Sequence, residues 1–233
     1  MVFQGNLLDL NWDTLYFYNN TLQAIAVGYL GAVVIMQLDN IKKQILVTLA
    51  LLILYWLLLH FAGTGNLTAN SNLAGEIDTL IFNTHRDGQE YTWLLSSVNF
   101  IVTVMLGAFC GKVLMQDKDN IKKLLQLVYF AMTCLALGYL LSFQDPIIKK
   151  IWTSSFTLIS GGYCILLLAV FYCIIDVLKF TRWSYLFLVL GSNAIFLYTI
   201  FAFNRFINTK DIAQKIVYGV EQYTSNYYPF ILS

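Results

Sequence analysis

The sequence predicts an all-α fold, a polytopic transmembrane helix bundle with an interfacial amphipathic segment at its C-terminal end. Three observations predict it. Of the 233 residues, 58% are hydrophobic and only 12% are charged, where a soluble domain carries about 25% charged residues. The mean hydropathy is +0.66. The apolar residues gather into long runs almost free of charge, the mark of membrane spans. Backbone groups in lipid find partners only within a helix or a closed barrel. The runs show no strand alternation, so they are read as helices. The whole chain, 1–233, is read as one membrane domain.

Six spans are expected, at residues 20–38, 45–62, 92–115, 122–143, 153–175 and 184–206. Eighteen helical residues rise about 27 Å, close to the roughly 30 Å of the hydrocarbon core. The first thirteen residues, MVFQGNLLDLNWD, have neither the basic start nor the apolar core of a signal peptide. Six spans place alternate loops on opposite sides. One set, with the helix-end lysines, holds eight basic residues: Lys42, Lys43, Lys112, Lys118, Lys122, Lys123, Lys179 and Arg182. The other set holds six, namely Arg86, Lys149, Lys150, Arg205, Lys210 and Lys215. The first set is therefore read as cytoplasmic. Localisation is expected to be the bacterial cytoplasmic (inner) membrane, with the lipid bilayer as the surrounding partner. The net charge of +1 gives no indication of a nucleic-acid partner.

Between the spans, the tripeptide Ile-Lys-Lys occurs three times. Two copies, in DNIKKQ (39–44) and DNIKKL (119–124), precede spans on the cytoplasmic side and read as basic anchors. The third, in DPIIKKIWTSS (145–155), lies on the opposite side, against the charge bias. The outer loop at 63–91 contains NLAGEIDTLIF (72–82), whose apolar Leu73, Ile77, Leu80 and Ile81 fit a short amphipathic helix at the interface. Glu90 closes the polar stretch that follows it. The tail at 207–233 carries Ile212, Ile216, Val217 and Val220 among polar residues, then Tyr223, Tyr227, Tyr228 and Phe230, an aromatic interface belt. Cys110, Cys134, Cys164 and Cys173 all lie in apolar runs without metal-ligand spacing, and are read as small apolar filler; no metal is expected.

Polar residues within spans are costly and mark cavities, partners or close helix packing. Ser96, Asn99 and Thr103 share one face of the third span; Thr153, Thr157, Ser160 and Cys164 form a stripe on the fifth, beside Gly161 and Gly162. For Ser160, Gly161 and Gly162 the favoured reading is close packing. Asn99 and Asn193 need partners for their amides, which a polar cavity supplies. Around the third lysine pair, Pro146 sets a bend, so Lys149, Lys150, the Trp152 indole and the hydroxyls of Thr153, Ser154 and Ser155 are expected to converge near the outer surface. Two readings stay open. One is a site for a phosphate, carboxylate or sugar; the other is an interfacial tryptophan with snorkelling lysines. His60 ends the second span and His85 lies in the outer loop, neither with an orienting partner in sequence.

Several segments carry a resemblance. NTLQAIAVGYL (20–30), YTWLLSSVNFIVTVMLGAFCGKVL (91–114), PIIKKIWTSSFTLISGGY (146–163) and FYCIIDV with LGSNAIFLY (171–177 and 190–198) resemble the later part of the heparan-α-glucosaminide N-acetyltransferase-like family, in its bacterial branch. The resemblance implies a membrane acyltransferase that takes acetyl-coenzyme A as acyl donor and an amino sugar or glycan outside the cytoplasm as acceptor. On the acyltransferase reading, Lys149, Lys150 and Trp152 bind anionic or sugar groups at the outer face and Ser154, Ser155, Asn99 and Asn193 line the polar cavity, while Glu90 corresponds to the acidic Asp-Pro-Glu-Gly element that many family members carry before this span. Family members open with Ser-x-Asp-x-x-Arg-Gly and carry a catalytic histidine in a first outer loop; no segment here matches either. The chain is therefore expected to be the C-terminal portion of a larger protein, its N-terminal half encoded separately, or a homo-oligomer. The alternative is a non-catalytic membrane component or a small-molecule or glycan transporter subunit.

Overall fold

The computed structural model describes residues 21–62, 72–82, 91–181 and 184–194, together with 196 and 199. These residues are helical wherever they have regular structure. The helices are α1 (Thr21–Met36), α2 (Ile41–Leu57), α3 (Leu73–Phe82), α4 (Ser97–Leu114), α5 (Asn120–Ser142), α6 (Ser154–Tyr172) and α7 (Ser184–Ser192). π turns extend α2 through Leu58–Ala62 and α6 through Cys173–Val177. The chain divides into two compact units. Asp13–Thr181 forms one; Met1–Trp12 and Arg182–Ser233 form the other, whose described helix is α7.

Four helices are long and apolar enough to cross a membrane: Ile41–Phe61, Ser97–Leu114, Asn120–Ser142 and Ser154–Val177. The expected six are thus met by four. The first expected span becomes α1, of 16 residues, about 24 Å long and short of the hydrocarbon core. The sixth is described only as the nine residues of α7 and the few after it. The expected tail at 207–233 and the first twenty residues lie outside the described residues.

α4 is the centre of the larger unit. One of its faces, Leu106 and Cys110, packs on Leu127, Ala131 and Cys134 of α5 and on Ile165 and Ala169 of α6. Another, Met105 and Phe109, packs on Ala32 and Ile35 of α1. Val102 meets Leu52 of α2 and Leu158 of α6. Small residues make these approaches possible, as close packing in lipid requires. A Cβ at Gly162 would lie 2.8 Å from Leu135 Cγ, and one at Gly161 2.7 Å from Leu106 Cδ1. The glycine pair is accordingly packing. Cys110 and Cys134 are buried free thiols in the core, as filler should be, whereas Cys164 is exposed.

The two basic anchors start helices. Asn40 caps α2, its side chain accepting from the Lys42 N–H at 2.9 Å. Asp119 precedes α5 and pairs with Lys122 at 3.1 Å, both side chains exposed. At that end, Gln44 is buried; its Nε2 donates to the Leu38 carbonyl at 2.6 Å and its Oε1 accepts from the Lys112 ammonium. Asn120 ties α5 to α6, donating to the Asp176 carbonyl at 3.2 Å and accepting from Tyr172 OH at 3.0 Å.

The start of α4 differs from the sequence reading. α4 begins at Ser97 rather than at residue 92; 91–93 are irregular and 94–96 form a turn, and the buried Asp78 carboxylate accepts the backbone N–H groups of Trp93 and Leu94 at 2.7 and 3.0 Å. The outer-loop helix is present as α3. α3 buries Ala74, Gly75 and Asp78, and leaves Leu80 84% exposed. A membrane protein's surroundings are themselves apolar, so the small and acidic side packs inward and the large apolar side faces out.

Candidate functional site

The loop from Asp145 to Thr153 enters the bundle instead of lying on it. Asp145 is buried, and its carboxylate accepts the Ser155 N–H at 3.0 Å, covering an open donor at the start of α6. Thr153 is the N-cap; its hydroxyl accepts from the N–H of Ile148 at 3.1 Å and of Phe156 at 3.4 Å. Burial pushes the Asp145 carboxyl above its ordinary range, against the pull of its hydrogen bonds from Ser155 and Ser154 and of the nearby His60.

Above α4 this loop is gripped by polar side chains. The Ile151 carbonyl accepts from Tyr55 OH and from Ser96 Oγ at 3.2 Å. Ser96 also bonds Thr92 Oγ1 at 2.6 Å, and the Thr92 N–H donates to the Lys150 carbonyl at 3.1 Å. One turn deeper, Asn99 Nδ2 donates to the Trp152 carbonyl at 2.8 Å and to Ser154 Oγ at 3.4 Å, while Ser154 donates to the Leu52 carbonyl at 3.0 Å. The Trp152 indole N–H donates to Thr103 Oγ1 at 3.3 Å, and its ring lies edge-on to Phe100 and Phe156, each at 5.1 Å. Trp152 has φ of 50°, the left-handed region, which costs a non-glycine residue about 1–2 kcal/mol. The bonds from Asn99 and to Thr103 offset that strain.

The residues singled out in the sequence divide in three. Asn99, Trp152, Ser154 and Ser155 come together between α2, α4 and α6. Lys149 and Lys150 belong to the same turn, but their side chains are exposed, so the ammonium groups do not converge with the hydroxyls. The reason is hydration. A lysine buried in an apolar bundle loses its solvation, whereas a hydroxyl or amide regains hydrogen bonds inside. Asn193 is exposed at the end of α7 and donates to the Val189 carbonyl at 2.8 Å. Glu90 lies outside the described residues. Tyr55, Thr92 and the two buried aspartates were not singled out, whereas Ser96 was read on one face with Asn99 and Thr103. Tyr55 looks in sequence like one more aromatic of an apolar run, and only its position opposite Ile151 gives its hydroxyl a task.

One polar atom of this nest is unspent. Asn99 is fully buried, and its Oδ1 has no hydrogen-bond partner. Among the described residues no cluster of histidine, cysteine, aspartate and glutamate is fit to hold a metal ion. In comparisons with known proteins, no family model matches the chain and no curated protein matches it.

Proposed function

We propose that this chain is part of a membrane acyltransferase, and that the end of the bundle at α3 takes the acceptor, an amino sugar or glycan. Acetyl-coenzyme A enters as the acyl donor on the strength of the family resemblance alone. The observation that carries the acceptor assignment is the unpartnered Asn99 Oδ1. A buried carbonyl oxygen without a donor costs about 1–3 kcal/mol, and an amine or hydroxyl supplies the missing proton. Lys149 and Lys150, exposed on the turn that Asn99 holds, suit an acidic group on the same acceptor.

The test is acetyl transfer from labelled acetyl-coenzyme A to an amino sugar in membranes carrying the full chain. Replacing Lys149 and Lys150 together by Ala lowers transfer roughly tenfold or more, the scale of one lost charged hydrogen bond, while the protein still inserts. Unchanged transfer in the double variant removes the lysines from the site. A second reading, a non-catalytic membrane component, is favoured by a different observation: the hydroxyls of Thr153, Ser154 and Ser155 are all engaged internally. Absence of any transfer by the wild-type chain together with its partner subunits decides for that reading.

A further inference from the structure

The opposite end of the bundle holds a charge that the acceptor site does not use. Lys112 lies in the last turn of α4 and is half-buried. Its ammonium donates to Gln44 Oε1. Gln44 is buried and itself pinned, its Nε2 donating to the carbonyls of Met36 at 3.2 Å and Leu38 at 2.6 Å. The ammonium is thereby held at the turn between α1 and α2 instead of reaching freely for water. Its acceptor is a neutral amide, and two of its three N–H donors remain. Among the described residues the ion pair is Lys122 with Asp119, so Asp39, the acid of the α1–α2 turn, does not neutralise Lys112. Lys42 and Lys43 stand exposed on the first turn of α2, next to Gln44 in sequence. Ile45, Leu46, Leu49 and Ile53 are exposed on the same helix, at the three- and four-residue spacings that set them in line with Lys42.

Three lysines around one turn, with an uncovered apolar face running down from them, match an anion joined to hydrocarbon. We propose that the α1–α2 turn binds an acidic phospholipid, its phosphate on Lys112 with Lys42 and Lys43 at the rim, and an acyl chain along Ile45, Leu49 and Ile53. Charge complementarity and the apolar face together select this occupant. A soluble anion would satisfy the ammonium and leave that face unused. Bonds between an ammonium and a phosphate belong to the stronger, charge-assisted class, and basic pockets between membrane helices take lipid head groups in this way. Helix dipoles explain only part of the cluster. Lys112, at the end of α4, complements its helix; Lys42 and Lys43 stand at the start of theirs, where positive charge is unfavourable. The proposal does not depend on the acyl-transfer reading.

The test is native mass spectrometry of the full chain in detergent, with phosphatidylglycerol and phosphatidylcholine of equal chain length added in turn. Both carry a phosphate diester, but only the first is net negative. Wild type holds phosphatidylglycerol about tenfold more tightly, the scale of one charged hydrogen bond. Lys112→Gln removes most of that preference and Lys112→Arg restores it. Lys42→Gln with Lys43→Gln, at exposed positions whose change leaves the packing intact, lowers it about two- to fivefold, as exposed charges do. Lys118→Gln with Lys122→Gln removes the same number of charges from the α4–α5 turn and leaves the preference unchanged. Equal retention of the two lipids by wild type overturns the proposal. So does a full preference in Lys112→Gln or in the Lys42 and Lys43 double variant; the second decides the matter if the first does not fold. An equal loss in the Lys118 and Lys122 double variant overturns it too, since general surface charge then accounts for the binding. Release of bound phosphatidylglycerol by added inorganic phosphate or coenzyme A assigns the lysines to a soluble anion and overturns the lipid.

Discussion

Gly138→Ala puts one methyl group at a close approach of α5 to α6. The new Cβ would stand 2.6 Å from Ile159 Cγ1, 3.0 Å from the Ile159 backbone nitrogen and 3.1 Å from Leu158 Cβ. Ile159 Cγ1 can rotate away; the backbone nitrogen cannot, so the helices must part by several tenths of an ångström. Overpacking of this kind costs about 1–3 kcal/mol. Alanine also favours helix over glycine, by about 0.8–1.0 kcal/mol in host peptides, and that gain has to be subtracted. Gly107→Ala supplies the subtraction, since nothing lies within 4 Å of a Cβ there and its helix, α4, is equally apolar. The difference between the two variants isolates the steric cost, expected at about 1–3 kcal/mol. The assay is unfolding by dodecyl sulfate in mixed lipid–detergent micelles, followed by circular dichroism. A difference below about 0.5 kcal/mol, the usual error of such subtraction, refutes the close approach of α5 and α6 at this point.

Two further outcomes are expected. Tyr55→Phe leaves the Ile151 carbonyl with Ser96 alone and destabilises the unit by about 0.5–1.5 kcal/mol, the net worth of one hydrogen bond, measured by the same titration. For Asp145, burial holds the folded carboxyl above its ordinary range, so the folded state keeps that proton to higher pH than the unfolded chain. The stability it contributes is present below the unfolded carboxylate value of 3.8 and is lost as pH rises through the folded value. Asp145→Asn keeps an acceptor for the Ser155 N–H and carries no charge. The variant is therefore expected to gain on wild type as pH rises from acid to neutral. A wild type that instead gains on the variant over that interval contradicts the burial of Asp145.

Much of the bundle is legible in the sequence, because the spans depend on local composition. The apolar runs at 45–62, 92–115, 122–143 and 153–175 reappear as the four long helices, with ends displaced by a few residues. Residues 92–96 read as span because they are apolar enough, yet Thr92, Trp93 and Leu94 give their N–H groups to the distant Lys150 carbonyl and Asp78 carboxylate. α3 forms where the pattern put it, while which of its sides packs on the protein was not in the pattern, because an amphipathic pattern says which residues differ but not what each side meets. At the site, Asn99 was visible as a mid-span amide that needed partners, and it has them through its Nδ2. The expected convergence of Lys149 and Lys150 with the hydroxyls was not legible, since adjacency in sequence says nothing about which way successive side chains point around a turn.

By itself the sequence determined that the chain is helical and membrane-embedded: apolar runs of this length leave the backbone no other way to satisfy its hydrogen bonds in lipid. It also marked Gly161 and Gly162 as a place where helices approach, though not Gly28, Gly31 or Gly138. Only the tertiary structure decided what the polar residues are for. It drew Tyr55, Ser96 and Asn99 around one loop and sent two lysines outward. The physical reason is that hydrophobicity is summed over a segment, whereas a hydrogen bond or a charge pair depends on the position of two atoms that separate parts of the chain must supply.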